Sequence, residues 1–166
     1  VIEDIDSWGP YLASKGIVTM FCEINWAYNP FTNPGHRSTS LLDALVTIKV
    51  ENERIGSPLF NNLNVDKIVA GGHSMGGGGA QLAAQEDPDV GAVIALSPFL
   101  FGNGEDALNN VKPILFMSAE LDGVAPNDSH TTLFYNNTPE TTDKLLFEMF
   151  GGDHVTVVSP YNDLHL

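Results

Sequence analysis

The sequence predicts an α/β fold, a three-layer sandwich in which helices cover a mostly parallel sheet. Short apolar runs rich in β-branched residues alternate with longer segments of helical periodicity along the 166 residues. This alternation is typical of parallel strands joined by crossover helices. No internal repeat and no linker divides the chain, and its length suffices for an ordinary core, so we predict one domain over residues 1–166.

The bounds of the predicted elements follow from apolar runs, apolar stripes and helix breakers. Leu41, Leu45 and Ile48 recur at helical spacing and define an amphipathic helix, and Gly16 is expected to end the first helix. The Asn- and Pro-rich stretch 25–35 is predicted to be a loop. The predicted strands are 17–24, 65–70, 90–96, 113–119 and 144–150, and the predicted helices are 5–14, 38–53, 76–85 and 127–137.

Composition excludes several classes of function. Acidic residues outnumber basic residues by 21 to 7, and the net charge of −14 repels phosphate backbones, so we expect no nucleic-acid partner. No apolar run approaches the roughly 20 residues needed to span a bilayer. Cys22 is the single cysteine, and its apolar surroundings predict a buried, unreactive thiol. No histidine, cysteine or carboxylate cluster has the spacing of metal ligands, and we predict neither a metal nor a cofactor.

The most informative segment contains the pattern Gly72-x-Ser74-x-Gly76 between a predicted strand and a predicted helix. Pattern and context are those of a nucleophile elbow, a strained turn that presents a serine at the edge of a sheet. The turn needs small neighbours, which Gly72 and Gly76 supply, and glycines 77–79 would allow the helix to pack closely on the sheet. The backbone N–H of Met75, at the helix N-terminus, would face the reacting oxyanion.

Two other interpretations of this segment are weaker. A serine could lie by chance in a glycine-rich turn between a strand and a helix. A phosphate-binding loop would need a lysine directly before the Ser or Thr, and a dinucleotide fingerprint would need an acid about 20 residues further on. The glycine spacing around Ser74 fits neither pattern.

A serine hydroxyl needs a base and an orienting acid to act as a nucleophile. In this arrangement the acid and then the histidine follow along the chain, each just beyond a strand end. Asp122 follows the fourth predicted strand and His154 the fifth. The carboxyl ends of parallel strands share one edge of the sheet, so we predict a catalytic triad of Ser74, Asp122 and His154. Glu120 and Asp153 are the rival acids.

The other histidines are weaker candidates for the base. His73 is adjacent to the nucleophile but lies on the wrong side of the elbow to act as base, and we expect it to line the cleft. We predict surface or packing roles for the remaining three, because a triad needs only one histidine. These three are His36, His130 and His165.

Six segments carry a resemblance to a known family: residues 8–16, 72–79 (Gly-His-Ser-Met-Gly-Gly-Gly-Gly), 96–99, 120–126, 134–136 and 151–154. In order and spacing they resemble the bacterial cutinases and poly(ethylene terephthalate) hydrolases, which are α/β-hydrolases. The resemblance implies a secreted enzyme that hydrolyses carboxylic esters in a shallow cleft open to polymers. It implies that Met75 supplies one oxyanion amide and that Phe99 and Val124 flank the bound acyl or aryl group. We expect a monomer.

The sequence departs from the family in two places within the chain. The family usually has Trp where this chain has Phe99, which implies weaker ring stacking or a wider cleft. The loop 25–35 differs from the family's shorter polar run and contains Trp26, Tyr28 and Phe31. These aromatic residues could form a polymer-binding wall, but packing within the loop is at least as good an interpretation.

The resemblance also implies that part of the family's domain is absent from this chain. Relatives have several strands before the first residue and a closing helix after the last. One of the absent strands would lie between the strands at 17–24 and 65–70 and lead to the second oxyanion amide. We therefore expect a partial α/β-hydrolase domain whose second oxyanion donor lies outside the chain.

These observations together predict a serine carboxylic-ester hydrolase that works through an acyl-enzyme, most specifically a polyesterase of the cutinase type. A lipase, a thioesterase or a small-ester carboxylesterase with the same triad is the first alternative. The second alternative belongs to a different class: a catalytically incomplete remnant or binding module that retains the fold without the reaction.

Overall fold

The computed structural model describes residues 5–22, 34–100 and 110–158, which contain a four-stranded, fully parallel sheet. Because parallel strands end at a common edge, every carboxyl terminus of the sheet lies on one side. This arrangement confirms the predicted α/β class. The strands lie side by side in chain order: β1 (Ile68–His73), β2 (Val90–Leu96), β3 (Ile114–Ala119) and β4 (Lys144–Met149).

The helices and two short 3₁₀ turns connect and flank these strands. The helix predicted at 38–53 begins earlier, at Pro34, because proline is well suited to a first helical turn, where its missing N–H is not needed. The helix predicted at 127–137 starts as a 3₁₀ turn. The helices are α1 (Trp8–Ala13), α2 (Pro34–Glu53), α3 (Met75–Glu86) and α4 (Thr131–Asn137), and the 3₁₀ turns are Asn127–Ser129 and Thr156–Val158.

Strand β1 is displaced along the sequence from its predicted position. The prediction placed the strand at 65–70, whereas the structure starts it at Ile68 and continues the ladder to His73. Gly71 pairs with Ile94 and Gly72 with Ala95 of β2. The parallel ladder therefore continues up to the residue before Ser74, and the elbow starts without an intervening loop.

One face of the sheet packs against α3 and α4, and α2 packs on α3. Phe116 of β3 is fully buried there, together with Val93 of β2, Ala80 of α3 and Phe134 of α4. Burial of this much apolar surface is the main stabilising contribution to the fold. On the opposite face the 3₁₀ turn at Thr156–Val158 covers only the carboxyl end, through Val157 against Leu96 and Ala119.

Helix α3 approaches its neighbours more closely than side chains would permit. A Cβ on Gly78 would lie 2.3 Å from the carbonyl oxygen of Phe99, and one on Gly79 would lie 2.5 Å from Cβ of Arg37 in α2. Contacts of this length are not tolerated, so the glycine run is required by packing. The predicted close packing of this helix is confirmed and extends to a neighbouring helix as well as the sheet.

The prediction of a strand at 17–24 is wrong for residues 17–22, the part of this range that the structure describes. Residues 17–22 have no strand conformation, and the side chains of Ile17, Val18 and Met20 are about half exposed. An apolar run becomes a strand only where a neighbouring strand pairs with its backbone. In the described ranges β1 pairs on one side only, with β2. Cys22 is partly buried, and its pKa is raised by burial and by Asp43, in keeping with an unreactive thiol.

Several sequence predictions fall outside the described ranges. They concern the aromatic loop residues Trp26, Tyr28 and Phe31, together with His165. Within the described ranges, no helix is both long enough and apolar enough to cross a membrane.

Candidate active site

Ser74 occupies a strained backbone conformation between β1 and α3. Its φ of 57° and ψ of −124° lie in a region that non-glycine residues rarely adopt, at a cost of about 1–3 kcal/mol. Three backbone hydrogen bonds hold it there. Its N–H donates to the Leu96 carbonyl at 2.9 Å, and its own carbonyl accepts from the N–H groups of Phe99 and Gly78.

The steric demand of the elbow falls on Gly72. A Cβ at this position would lie 2.5 Å from the carbonyl carbon of Gly76. By contrast, a Cβ on Gly76 would meet no atom within 4 Å. The expectation that both glycines are needed for space is therefore wrong for Gly76, because the space that matters lies on the strand side of the turn.

Asp122 lies in the loop after β3, and both oxygens of its carboxylate have hydrogen-bond partners. Oδ1 accepts from the N–H groups of Val124 (2.9 Å) and Ala125 (2.7 Å), and Oδ2 contacts the ring of His154. Burial of the carboxyl favours the protonated form, but these three donors outweigh it and hold the pKa of Asp122 below its usual range. The group is therefore an anion at neutral pH.

His154 lies on the loop after β4 and is oriented by Asp122. Its Nδ1 is 2.7 Å from Oδ2 of Asp122. Because a carboxylate only accepts, Nδ1 carries the proton, and the neutral ring keeps its lone pair on Nε2. Within the described ranges no hydrogen bond joins the hydroxyl of Ser74 to this ring. In the structure Asp122 and His154 are therefore hydrogen-bonded, whereas Ser74 and His154 are not, as is common in active sites without substrate.

Both rival acids have other partners. The Glu120 carboxylate accepts the N–H of Gly151 at 2.9 Å. The Asp153 carboxylate accepts the hydroxyl of Thr156 at 2.8 Å and the N–H of Val155 at 3.2 Å. Glu120 therefore holds the start of the histidine loop, defined here as residues 151–158, and Asp153 makes hydrogen bonds within it; neither contacts the imidazole in the described ranges.

His73, the last residue of β1, lies against His154. The ring centroids are 4.5 Å apart, and Nε2 of His73 is 2.7 Å from the backbone carbonyl oxygen of His154. Burial lowers the pKa of His73 and outweighs the opposing effect of its hydrogen bond to His154. The ring that was expected to line the cleft is therefore also bonded to the histidine loop.

The ring of Phe99 packs on the ring of His130, a contact that the sequence does not predict. The rings of Phe99 and His130 are 4.5 Å apart and tilted by 33°, and Phe134 meets His130 edge-on at 5.9 Å. Burial lowers the pKa of His130, with opposite influences from Asp122 and His154. A surface or packing role for His130 was predicted, but only the tertiary structure shows that its ring packs between those of Phe99 and Phe134.

The remaining predicted residues lie around the same edge of the sheet. Met75 begins α3, so its N–H is among the first-turn groups that have no intrahelical acceptor. Val124 is 58% exposed beside the buried carboxylate of Asp122, and Leu121 in the same loop is 65% exposed. Two apolar side chains of the loop that carries Asp122 are therefore exposed at this edge of the sheet.

A parallel sheet whose first strand turns through a positive-φ serine into a helix, with an aspartate–histidine pair beyond the next strand ends, has the architecture of an α/β-hydrolase. The chain belongs to the PET hydrolase-like family, whose model matches residues 1–164. This membership confirms the resemblance noted from the sequence.

Individual relatives agree with the family. The chain is 30% identical over 146 residues to cutinase est1 of Thermobifida alba, which covers 88% of the chain and 47% of that relative. It is 31% identical over 146 residues to the bis(hydroxyethyl) terephthalate hydrolase of Streptomyces coelicolor. This match covers 88% of the chain and 44% of that relative. The chain spans about half the length of the curated relatives it matches.

Proposed function

We propose that the protein is a serine carboxylic-ester hydrolase of the cutinase type. The observation that carries the proposal is the 2.7 Å contact between His154 Nδ1 and Asp122 Oδ2 at the sheet edge where Ser74 stands in its elbow. Acid, histidine and serine are the three groups that a serine nucleophile requires. Family membership and relatives named as cutinases and a bis(hydroxyethyl) terephthalate hydrolase support the same reaction.

The proposed reaction is a double displacement. His154 Nε2 takes the proton of the Ser74 hydroxyl while the serine oxygen attacks the ester carbonyl. The tetrahedral intermediate collapses, the C–O bond to the alcohol breaks, and the alcohol leaves with the proton returned by His154. Water then attacks the acyl-enzyme by the same route and releases the acid. Asp122 holds the imidazole in the required tautomer and stabilises its cationic form.

The N–H of Met75 is the oxyanion donor that we assign in this chain. It lies at the N-terminus of α3, directly after the nucleophile, where the helix dipole also favours negative charge. The resemblance noted from the sequence also implies a second donor, which we do not assign to a residue of this chain.

The proposed substrates are carboxylic esters with an extended apolar acyl or aryl group, including polyesters. Phe99, supported by His130, and the exposed Val124 would flank the acyl group on either side of Ser74. The printed names of the relatives, cutinase and bis(hydroxyethyl) terephthalate hydrolase, are consistent with this class. We further propose that the protein acts as a secreted monomer.

Serine-directed labelling tests the reaction. A fluorophosphonate probe should label the protein and lose all labelling in Ser74→Ala, because only an activated serine reacts. Nitrophenyl butyrate turnover should disappear in the same variant. Ser14→Ala is the matched control, since Ser14 is an exposed serine whose hydroxyl donates only to the Tyr11 carbonyl. Turnover retained in Ser74→Ala would exclude the assignment.

One observation, that Ser74 and His154 are not hydrogen-bonded among the described residues, favours an alternative function. In this alternative the protein binds esters without cleaving them. Absence of fluorophosphonate labelling in the unchanged protein would favour that alternative. If labelling occurs, a panel from nitrophenyl acetate through long-chain and thioesters to polyester film separates a polyesterase from a lipase, thioesterase or small-ester carboxylesterase. Release of soluble products from the film would support the polyesterase.

A further inference from the structure

The histidine loop is held by the acid loop, by the elbow and by α1, where the indole N–H of Trp8 donates to the carbonyl of Val158 at 2.7 Å. On the side of the acid loop, the N–H of Leu121 donates to the carbonyl of Gly152 at 2.8 Å, and Glu120 accepts the N–H of Gly151. On the side of the elbow, His73 supplies the one hydrogen bond between the described residues of the elbow and this loop, to the carbonyl of His154. The two histidines are 81 residues apart in the chain.

The acceptor in this contact fixes the chemistry of His73. A backbone carbonyl only accepts, so Nε2 of His73 carries a proton and donates it across 2.7 Å. In the neutral ring Nδ1 is then the unprotonated nitrogen. The ring packs against that of His154 at 4.5 Å, so the contact restrains both the backbone and the ring plane of His154.

Geometry places this restraint next to both reacting groups. His73 immediately precedes Ser74, and its backbone is fixed by pairing with Leu96 in the β1–β2 ladder. The histidine loop lies outside the sheet and starts with two glycines, one of them at a φ of 69°. The contact between His73 and His154 therefore ties this loop to the strand residue that directly precedes the nucleophile.

We propose that His73 is a positioning residue, whose Nε2–H bond to the His154 carbonyl sets the distance between the base and Ser74 for the proposed hydrolysis. A misplacement of about 1 Å in a catalytic group can lower a rate by about a hundredfold. A residue that only lines the cleft would instead act on substrate binding. The inference rests on the proposed function, since it assumes that Ser74 and His154 react together.

Two substitutions separate the hydrogen bond from the packing. His73→Gln keeps an N–H donor at a reach similar to that of Nε2, whereas His73→Met keeps comparable bulk and has no donor. We expect His73→Met to lower kcat for nitrophenyl butyrate by about ten- to a hundredfold with KM within about twofold. His73→Gln should stay within about threefold of the unchanged protein in kcat, as a rescue of the lost donor. Fluorophosphonate labelling rates should follow kcat.

The order of measurement distinguishes failure of the inference from failure of the proposed function. If the unchanged protein is not labelled at Ser74, the proposed reaction is wrong and the inference falls with it. If it is labelled, equal losses in the two variants, an unchanged kcat in His73→Met, or an effect confined to KM would each overturn the positioning role. Where His73→Met has a melting temperature more than about 5 °C lower, His73→Asn replaces it, because its shorter amide cannot reach the His154 carbonyl.

Discussion

The Nδ1–H group of His154 donates a hydrogen bond to Oδ2 of Asp122, with 2.7 Å between the two atoms. Oδ1 of the same carboxylate accepts hydrogen bonds from two backbone N–H groups of its own loop. The imidazole is therefore oriented by a group that is itself immobilised. Packing and hydrogen bonds of this kind let a side chain hold a reactive geometry without reorganisation during the reaction. Asp122 connects the two loops that follow β3 and β4.

Replacing the carboxylate by an amide should remove catalysis without removing the loop. Asp122→Asn retains an oxygen for the N–H groups of Val124 and Ala125 but favours the wrong tautomer of His154. We expect kcat to fall by about 10⁴-fold, the size of the corresponding loss in serine proteases. Turnover of nitrophenyl butyrate and circular dichroism of the same sample would check this. A kcat within tenfold of the unchanged protein would show that another group orients the histidine.

The lowered pKa of Asp122 predicts how stability depends on pH. An unfolded aspartate titrates near its ordinary pKa of about 3.9, and the folded group titrates below that value. Its stabilising contribution is thus complete above the unfolded pKa and is lost as the pH falls through the lower, folded pKa. Urea denaturation between pH 3 and 7 should show a shallower acid loss in Asp122→Asn. Parallel curves for the two proteins would contradict the prediction.

The two elbow glycines should respond differently to the same substitution. Gly72→Ala places a methyl group 2.5 Å from the backbone of Gly76, so we expect a loss of about 3 kcal/mol or more in the free energy of unfolding. Gly76→Ala meets open space within the first turn of α3 and should be neutral or stabilising by up to about 1 kcal/mol. Denaturant unfolding of the pair tests this, and similar costs at both positions would exclude the proposed steric origin.

A lysine at the start of β4 is predicted to stabilise the end of α4. Lys144 is nearly buried, and its ammonium donates to the carbonyls of Tyr135 and Thr138 and to exposed Glu140. Lys144→Met leaves both carbonyls without this donor and should cost about 1–3 kcal/mol of unfolding free energy. Thermal unfolding with calorimetry would measure the change.

The control for that prediction is Lys49→Met. Lys49 forms an ion pair with Asp89 in which both side chains are substantially exposed, and such pairs contribute about 0–1 kcal/mol. An equal loss in the two variants would mean that the charge of Lys144, and not its hydrogen bonds to α4, is responsible.

Local sequence pattern predicted the strand ends near which the candidate residues lie, and it did not predict the edges of the fold. Ser74, Asp122 and His154 are candidates because each follows a predicted strand, and strand ends in a parallel sheet meet at one edge. By contrast, residues 17–22 are apolar enough for a strand but lack a pairing partner among the described residues. Whether an apolar run pairs depends on distant backbone, which local pattern cannot show.

Two contacts of the site had no local signal. Nothing in the pattern around His73 indicates that its ring binds a carbonyl 81 residues away, and nothing around His130 indicates that it stacks on Phe99. Both contacts depend on how loops that are distant in sequence are placed relative to one another at the sheet edge. Periodicity reports which face of an element is buried, and it carries no information about that placement.

The backbone of Ser74 has one further consequence, for measurement. Its positive φ exists only while the β1 ladder and the first turn of α3 are both formed, because the bonds to Leu96 and Gly78 hold it. An unfolded molecule has the same serine without the elbow. On the proposed chemistry, a brief pulse of fluorophosphonate would therefore count native molecules in a partly denatured sample, so that the serine serves as an internal gauge of folding.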